Sequence, residues 1–530
     1  MTTPVSVPGT SVSSGWLGLG SLPVRTILRG LSGVVMVAVG GIGAAAVPMP
    51  DKVLDGTIFS WVRYGHGKEL ATAMLYAGLL MLVWAWIELG RAVRSGQVDR
   101  RGVLVAIAAW TVPLLFAPAL FSRDLYLYLA QGDLGLHGFN PYTNGVSVLN
   151  DPLSHNVDAI WQNTPAPYGP LFLLLTKGVV LFTGQHVEVG LVLLRCVFCL
   201  GLVLLCWALP RLAKALGGNP VVALWFGAAN PLVLAYLVGG GHNDLLMVGL
   251  LAAGTVLVVE GRHALGIAVV TGGFSVKATA AILLPFLVWM WAARLSGSPT
   301  RRFAKATGAS LAVFVAVFGW LTVIAQVGLG WVKALDVTNL VVTWMSLPTA
   351  AAQLANGIVG IFTATDPSQF LSVARMIGWL LLAALVARQW WLARSGDVPT
   401  VLRRASFALL TVVLLSPATL PWYFTWPLVI AAGFAWSGVG LAIGAGVSVW
   451  IMLSTYPAGS GGLYNFPYLA LIAAVGVLAA ISLLRPDPLR LSGRFSGLAG
   501  SSLRAPLAND ALNAPVVNRT PGDGKRGTRS

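Results

Sequence analysis

Charge is scarce in this chain. Asp, Glu, Lys and Arg make up 10% of its 530 residues, with 18 acids against 34 bases, where an ordinary soluble domain carries roughly 25%. A water-soluble globule is therefore excluded. Cysteine is scarcer still: Cys196, Cys199 and Cys206 are the three present, all within one apolar stretch. There a thiol behaves as a small hydrophobe, so the spacing indicates neither a disulfide framework nor a metal site. No GxxxxGK[ST] segment occurs, so the glycine-rich cradle of a nucleoside triphosphate is missing. What is present is apolar: 56% of the residues, a mean hydropathy of +0.79, and recurring runs of about 20 uncharged residues, the length that crosses about 30 Å of hydrocarbon. The formal charge of +16 does not point to nucleic acid, because the bases sit in short runs between apolar spans and so orient a helical membrane protein. The class is an all-α polytopic membrane protein.

Basic clusters then set the topology. Arg25 and Arg29 flank the start of a first span (27 to 48), and Arg91, Arg94, Arg100 and Arg101 separate a second (70 to 90) from a third (102 to 121), which places both clusters in the cytoplasm and the loop 122 to 168 outside. Arg211 and Lys214 are again cytoplasmic, so one crossing, 187 to 209, is assigned after a short re-entrant or tilted piece at 169 to 183. Between Arg262 and the cluster Arg294, Arg301, Arg302 and Lys305 lie only about 30 apolar residues, too few for two full crossings. Two short helices meeting near Thr271-Gly272-Gly273-Phe274-Ser275-Val276-Lys277 account for this, with the glycines as the bend and Lys277 delivered outside. The competing account is one long tilted helix with a snorkelling lysine. Further spans are expected near 306 to 328, 370 to 391, 404 to 420, 423 to 440, 441 to 455 and 466 to 484. The chain thus divides into a cytoplasmic tail (1 to 26), a membrane domain (27 to 484) and a disordered cytoplasmic tail (485 to 530).

On this topology Asp124, Asp133, His242-Asn243-Asp244, Lys277 and Trp422-Tyr423 all fall at extracytoplasmic span ends, and ionisable groups beside hydrocarbon mark functional sites. Each also has a purely structural account. Asp124 could pair with Arg123, although neighbours in sequence rarely face each other on a helix. Asp133 is expected to be an ordinary solvated loop acid. Asn243 and Asp244 could cap the next helix, and Trp422 and Tyr423 could belong to an interfacial aromatic belt. A carboxylate that accepts a hydroxyl proton, a lysine that holds phosphate and aromatic faces that line a sugar pocket together describe glycosyl transfer from a lipid phosphate. The cavity so formed would lie at the outer leaflet, open to water for one substrate and to lipid for the other.

Three motifs, Phe121-Ser122-Arg123-Asp124-Leu125-Tyr126-Leu127-Tyr128-Leu129-Ala130-Gln131-Gly132, Gly138-Phe139-Asn140-Pro141-Tyr142 and Ala166-Pro167-Tyr168-Gly169-Pro170, resemble the actinobacterial polyprenyl-phosphate-mannose-dependent α-1,6-mannopyranosyltransferases. The resemblance continues through Ala229-Asn230-Pro231-Leu232, His242-Asn243, Val276-Lys277-Ala278-Thr279 and Leu420-Pro421-Trp422-Tyr423. Ser60-Trp61-Val62-Arg63-Tyr64-Gly65-His66-Gly67 and Lys277-Ala278-Thr279-Ala280 favour the member that elongates the mannan backbone of lipomannan and lipoarabinomannan. Where the family usually carries Glu after His-Asn, this chain has Asp244.

The resemblance implies a C-type (GT-C) glycosyltransferase fold of about 13 to 14 transmembrane helices in the plasma membrane. Its donor would be polyprenyl-phosphate-mannose and its acceptor a lipid-anchored mannan, with no nucleic acid involved. Asp124 would be the catalytic base of an inverting displacement. Lys277, helped by His242 and Arg123, would hold the donor phosphate, while Asp244, Trp422 and Tyr423 would bind substrate. No cofactor or metal is required, although Asp124, His242 and Asp244 could hold a metal if they converge. Two alternatives remain: a lipid-linked-sugar flippase or transporter, whose site should lie near the midplane between repeats, and an arabinofuranosyltransferase of the same fold.

Overall fold

Hydrocarbon offers no partner to a backbone amide, so a chain this apolar must satisfy its own hydrogen bonds within helices. The computed structural model describes residues 22–48 and 54–486, and over them the chain is helical with three isolated bridges and no strand. The expected disordered tail from residue 487 lies outside the described residues. The helices used below are α1 Val24–Ala44, α2 Gly65–Arg94, α3 Arg100–Leu115, α4 Asp124–Leu136, α5 Pro170–Thr183, α6 Val187–Leu216, α7 Asp244–Val259, α8 His263–Phe274, α9 Leu284–Ala292, α10 Pro299–Ala325, α11 Pro367–Leu392, α12 Val398–Leu415, α13 Gly438–Leu453 and α14 Phe466–Leu484.

Among the described residues, seven helices (α1, α2, α6, α10, α11, α12 and α14) are long and apolar enough to cross a membrane, and the pair Pro220–Ala228 and Val233–Gly239, bent by 54°, makes an eighth if counted as one span. The rest of the apolar body is shorter helix: α5, α7, α8, Ala278–Ala292 and α13. Several expected spans are broken for local reasons. The third stops at Leu115, two residues beyond Pro113. The expected 423 to 440 span is no single helix: after the 3₁₀ turn Pro421–Phe424, Thr425–Ala431 runs only 7 residues, and α13 restarts with Ser437 capping the Gly440 N–H. In contrast α6 runs 30 residues, past the expected end at 209.

The helices pack closely where side chains are small. A methyl group on Gly33 of α1 would sit 2.8 Å from the carbonyl of Gly78 on α2, and one on Gly78 would sit 2.5 Å from that of Gly33, the close backbone approach that associates helices in lipid. In the core, Trp86 and Trp225 stack at 4.9 Å and each donates its indole N–H to the other's carbonyl, at 3.0 and 2.8 Å. Arg91 and Arg94, in the last turn of α2, donate to the carbonyls of Ser482 and Leu483 at 3.0 and 2.9 Å. A cation there also meets the negative end of the α14 dipole.

Three junctions position the site. Helix α8 runs through Gly272 and Gly273 and breaks at Ser275–Lys277, so two short helices do meet as expected, but the glycines are helical and are not the bend. The carbonyls of Ser275 and Val276 accept from the backbone N–H groups of Phe172 and Gly169, at 3.2 and 3.3 Å, where α5 begins. One helix end thus satisfies the orphan groups of another. The fit leaves no room at Gly169, where a methyl group would lie 2.4 Å from the Ser275 oxygen. At the second junction the turn Gly239–Gly241 lies beneath Leu120 and Leu125, and Gly241 adopts φ +66°. Arg195, buried in α6, binds this turn by donating to the carbonyls of Leu115, Pro118 and Gly239 at 3.2, 3.0 and 2.7 Å. At the third, Phe121 takes φ +65°, a strained conformation for a bulky side chain. It is held by its N–H to the Pro457 carbonyl at 2.9 Å and by its ring against Tyr236 at 4.7 Å. That twist turns the chain into α4 and sets Ser122, Arg123 and Asp124 in place.

Candidate active site

The first and third of these junctions border a cavity of about 1200 Å³. One part of its wall is polar, with Arg123, Asp124, Gln131, Thr164 and Lys277. Another is apolar and belongs to two spanning helices, with Trp379 and Leu382 from α11 and Val412 from α12. The segment 335 to 343 and the turn 416 to 423 complete it.

Asp124 opens α4, and its carboxylate is 19% exposed. Its Oδ2 lies 3.2 Å from Nδ1 of the fully buried His242, and 3.5 Å from the Tyr128 hydroxyl that donates to it. Burial is the largest influence and pushes the Asp124 carboxyl up. The hydrogen bond and charge of His242, the Ser122 hydroxyl and the charge of Lys277 together outweigh it and hold the carboxyl below its ordinary range, so it is ionised at neutral pH. Trp422 stacks on the other side of His242 at 3.8 Å, nearly parallel at 17°.

Lys277 stands beyond the α8 break with its side chain 13% exposed and lines the cavity. Its ammonium donates to both oxygens of Asp244, at 2.9 and 2.8 Å, and Trp426 Nε1 donates to Asp244 Oδ1 at 2.5 Å. The ammonium also lies 4.5 Å from the Tyr423 ring centre and 5.3 Å from that of Trp426, and these two rings stack at 4.2 Å. Burial pushes the phenols of Tyr128, Tyr168 and Tyr423 far up, so beside two carboxylates they remain protonated donors.

The sequence-predicted residues therefore come together, with distinctions among them. Asp124, Arg123, Lys277, Trp422 and Tyr423 line the cavity. His242 and Asp244 are fully buried and stand behind the wall, His242 3.2 Å from Asp124 and Asp244 bonded to Lys277. Asn243 makes no side-chain cap for α7, and the Asp244 carboxylate faces Lys277 and Trp426, so the helix-capping account fails. Arg123 does not pair with Asp124: its guanidinium donates to the Asn156 carbonyl at 2.8 Å, to Asn156 Oδ1 at 3.0 Å and to the Val47 carbonyl at 3.2 Å. Among the described residues no group of three or more His, Cys, Asp or Glu side chains is arranged to hold a metal ion.

Asp133 corrects an expectation. Two and a half turns along α4 from Asp124, it is 3% exposed and not a solvated loop acid. Gln185 Nε2 donates to it at 3.0 Å and lies 3.5 Å from Asp151. Burial, then the neighbouring Asp151, pushes its carboxyl up to about 6. Sequence reasoning missed Trp426 and Gln131. Trp426 follows Trp422 at helical spacing, four residues on, which was an available signal. Gln131 lies within the recognised motif but carried no charge to draw attention.

The description "Alpha-(1->6)-mannopyranosyltransferase, N-terminal domain" matches residues 27–293, and "MptB C-terminal domain" matches 348–485. The chain belongs to the alpha-(1->6)-mannopyranosyltransferase family. It is 41% identical over 464 residues to "Alpha-(1->6)-mannopyranosyltransferase A" of Mycobacterium tuberculosis, covering 86% of this chain and 90% of that protein. Identity to the protein of the same name from Corynebacterium glutamicum is 31% over 469 residues, with 84% and 96% covered. For "Alpha-(1->6)-mannopyranosyltransferase B" of that organism it is 27%, with 77% and 72% covered. No solved structure matches. This mannopyranosyltransferase-family chain is thus a membrane glycosyltransferase with the all-helical body expected of the C-type class. The cavity-lining stretch 335 to 343 falls between its two matched regions.

Proposed function

We propose that the chain transfers mannose from polyprenyl-phosphate-mannose to an α-1,6-mannan acceptor, with inversion, at the extracytoplasmic face of the plasma membrane, elongating the lipomannan and lipoarabinomannan backbone. The observation that carries this reading is the two-sided cavity. An ionised carboxylate and a lysine share a wall with residues of two membrane-spanning helices, so a water-borne hydroxyl and a lipid phosphate can meet there.

In this mechanism Asp124 takes the proton of the acceptor 6-hydroxyl as its oxygen attacks the anomeric carbon of a β-linked mannosyl phosphate. The carbon–phosphate oxygen bond breaks, and polyprenyl phosphate leaves with the electron pair. An ammonium has three N–H donors. Two of those of Lys277 are engaged by Asp244, which leaves one for the departing phosphate, where a fixed charge in a dry site is most effective. His242 orients Asp124, and Asp244 with Trp426 orients Lys277. Trp422 holds the His242 ring, Tyr423 adds an aromatic face beside the ammonium, and Arg123 braces the mouth.

The test is mannosyl transfer by the purified protein in lipid nanodiscs, with labelled polyprenyl-phosphate-mannose and short α-1,6-mannoside acceptors. Asp124→Asn, nearly the same size but unable to accept the proton, is expected to lose about 10² to 10⁴ in rate while still binding donor. The variant that adds Arg123→Gln stays equally slow. Failure of the wild-type protein to use this donor, or wild-type turnover by Asp124→Asn, overturns the reading.

A further inference from the structure

Among the described residues, Gln131 lines the cavity wall with a buried amide oxygen that has no hydrogen-bond partner. The residue is 2% exposed. A buried, unsatisfied amide costs about 1 to 3 kcal/mol, so a side chain kept in that condition beside a cavity marks a ligand that completes it. The chemistry of that ligand follows from what an amide can bind. A half-turn exchanges Oε1 and Nε2, so an ionised phosphate, which offers only acceptors, suits one orientation, whereas a hydroxyl suits both. An amide also donates, and a sugar hydroxyl, donor and acceptor at once, matches it on both counts.

Position assigns the sugar. Gln131 follows Asp124 by seven residues on α4, which returns it to the same helix face about 10 Å further along the axis, more than the width of one hexopyranose ring. Asp124 must meet the attacking hydroxyl of the acceptor's terminal residue, so a group this far along α4 meets the next residue of the acceptor. The cavity lining also holds groups suited to a sugar. Trp161 and Thr164 come from the loop before α5 and offer an aromatic face and a hydroxyl, whereas the apolar wall comes from α11 and α12. Resting on the function proposed above, we propose that Gln131 binds a hydroxyl of the acceptor's penultimate sugar and makes the enzyme favour acceptors of two or more residues over one.

The experiment compares kcat/KM for an alkyl α-mannoside with that for the corresponding α-1,6-linked dimannoside, with labelled polyprenyl-phosphate-mannose as donor and the full chain in nanodiscs. Wild type is expected to favour the dimannoside by about tenfold, the worth of one good hydrogen bond. Gln131→Leu should lose most of that preference, with dimannoside use falling further than monomannoside use. Thermal unfolding of Gln131→Leu is expected at or above the wild-type temperature, since an unpaired amide gives way to an apolar group of similar size. Equal losses on both acceptors, or a lowered unfolding temperature, would make Gln131 a structural residue and overturn the proposal. So would a preference that survives Gln131→Leu, which would leave water as the partner of the amide. Wild type using both acceptors without preference overturns the Gln131 assignment alone. Wild type using neither overturns the proposed function with it.

Discussion

Replacing Lys277 by Met separates the two tasks given to that side chain. Asp244 is fully buried, and among the described residues Lys277 supplies two of the three hydrogen bonds its carboxylate receives, at 2.9 and 2.8 Å. Removing one member of a buried pair leaves a stranded charge and costs about 3 to 5 kcal/mol. The low end applies here, because Trp426 remains as a donor and the lysine is itself 13% exposed. Adding Asp244→Asn removes the stranded charge while keeping a carbonyl for Trp426. The double variant should therefore return to within about 1 kcal/mol of wild type, as neutral replacements of buried pairs generally do. Activity should not return with it. A fixed donor aimed at developing charge is worth about 10² to 10³ in rate, and neither variant has one. Thermal unfolding in detergent gives the first quantity and steady-state mannosyl transfer the second. A double variant that regains wild-type turnover would reduce Lys277 to a counter-ion of Asp244, and a Lys277→Met protein as stable as wild type would refute the burial argument itself.

Gly169→Ala places a methyl group 2.4 Å from the Ser275 carbonyl, so it should shift the α8 break that carries Lys277. About 1 to 3 kcal/mol of stability should be lost and the donor KM should rise, whereas an unchanged donor KM would uncouple that junction from the site. Asp133 keeps its proton in the folded chain up to about pH 6, above the ordinary 3.8. The stability it contributes is complete below the unfolded value and is lost as pH rises through about 6. Amide protection in Val146–His155, taken relative to the intrinsic exchange rate at each pH, should accordingly be lower at pH 7 than at pH 5, and Asp133→Asn should flatten that difference. A single cysteine at the exposed Ser147, in a background without Cys196, Cys199 and Cys206, should react with an impermeant maleimide in intact cells. Labelling only after membrane rupture would reverse the proposed orientation.

Lys277 was the most legible part of the site, because flanking bases on both sides of too short an apolar run leave few ways to fold. Charge counting and length favoured a break there over one long tilted helix, although not its position at Ser275–Lys277. Asp124 was legible for a related reason, as a charge placed where hydrocarbon ends. Asp133 was not: its burial depends on Gln185 and Asp151 arriving from other elements, and no local pattern announces such a contact. The division between residues that line the cavity and those behind it was equally hidden. His242 and Asp244 sit in one tripeptide, yet one braces Asp124 and the other Lys277, an allocation fixed by how Trp422 and Trp426 pack against them. Span boundaries failed at Pro113 and between Ala431 and Gly438, where hydropathy stays high while the backbone changes course. Arg195 drew no notice because a lone base inside a long apolar run has no local partner, and its carbonyl partners come from residues 115 to 239.

That guanidinium has three carbonyl partners and no carboxylate partner among the described residues. A carbonyl neither gains nor loses a proton, and arginine stays charged at any neutral or mildly acidic pH, so the clamp beneath the Gly239–Gly241 turn does not respond to acidity. His242 follows that turn directly and lies 3.2 Å from Asp124. The backbone that carries His242 is thereby held by a contact whose charge and geometry stay constant over that range. Lysine at position 195 would supply one nitrogen in place of the two that now reach three oxygens, and that constancy would be the first property to suffer.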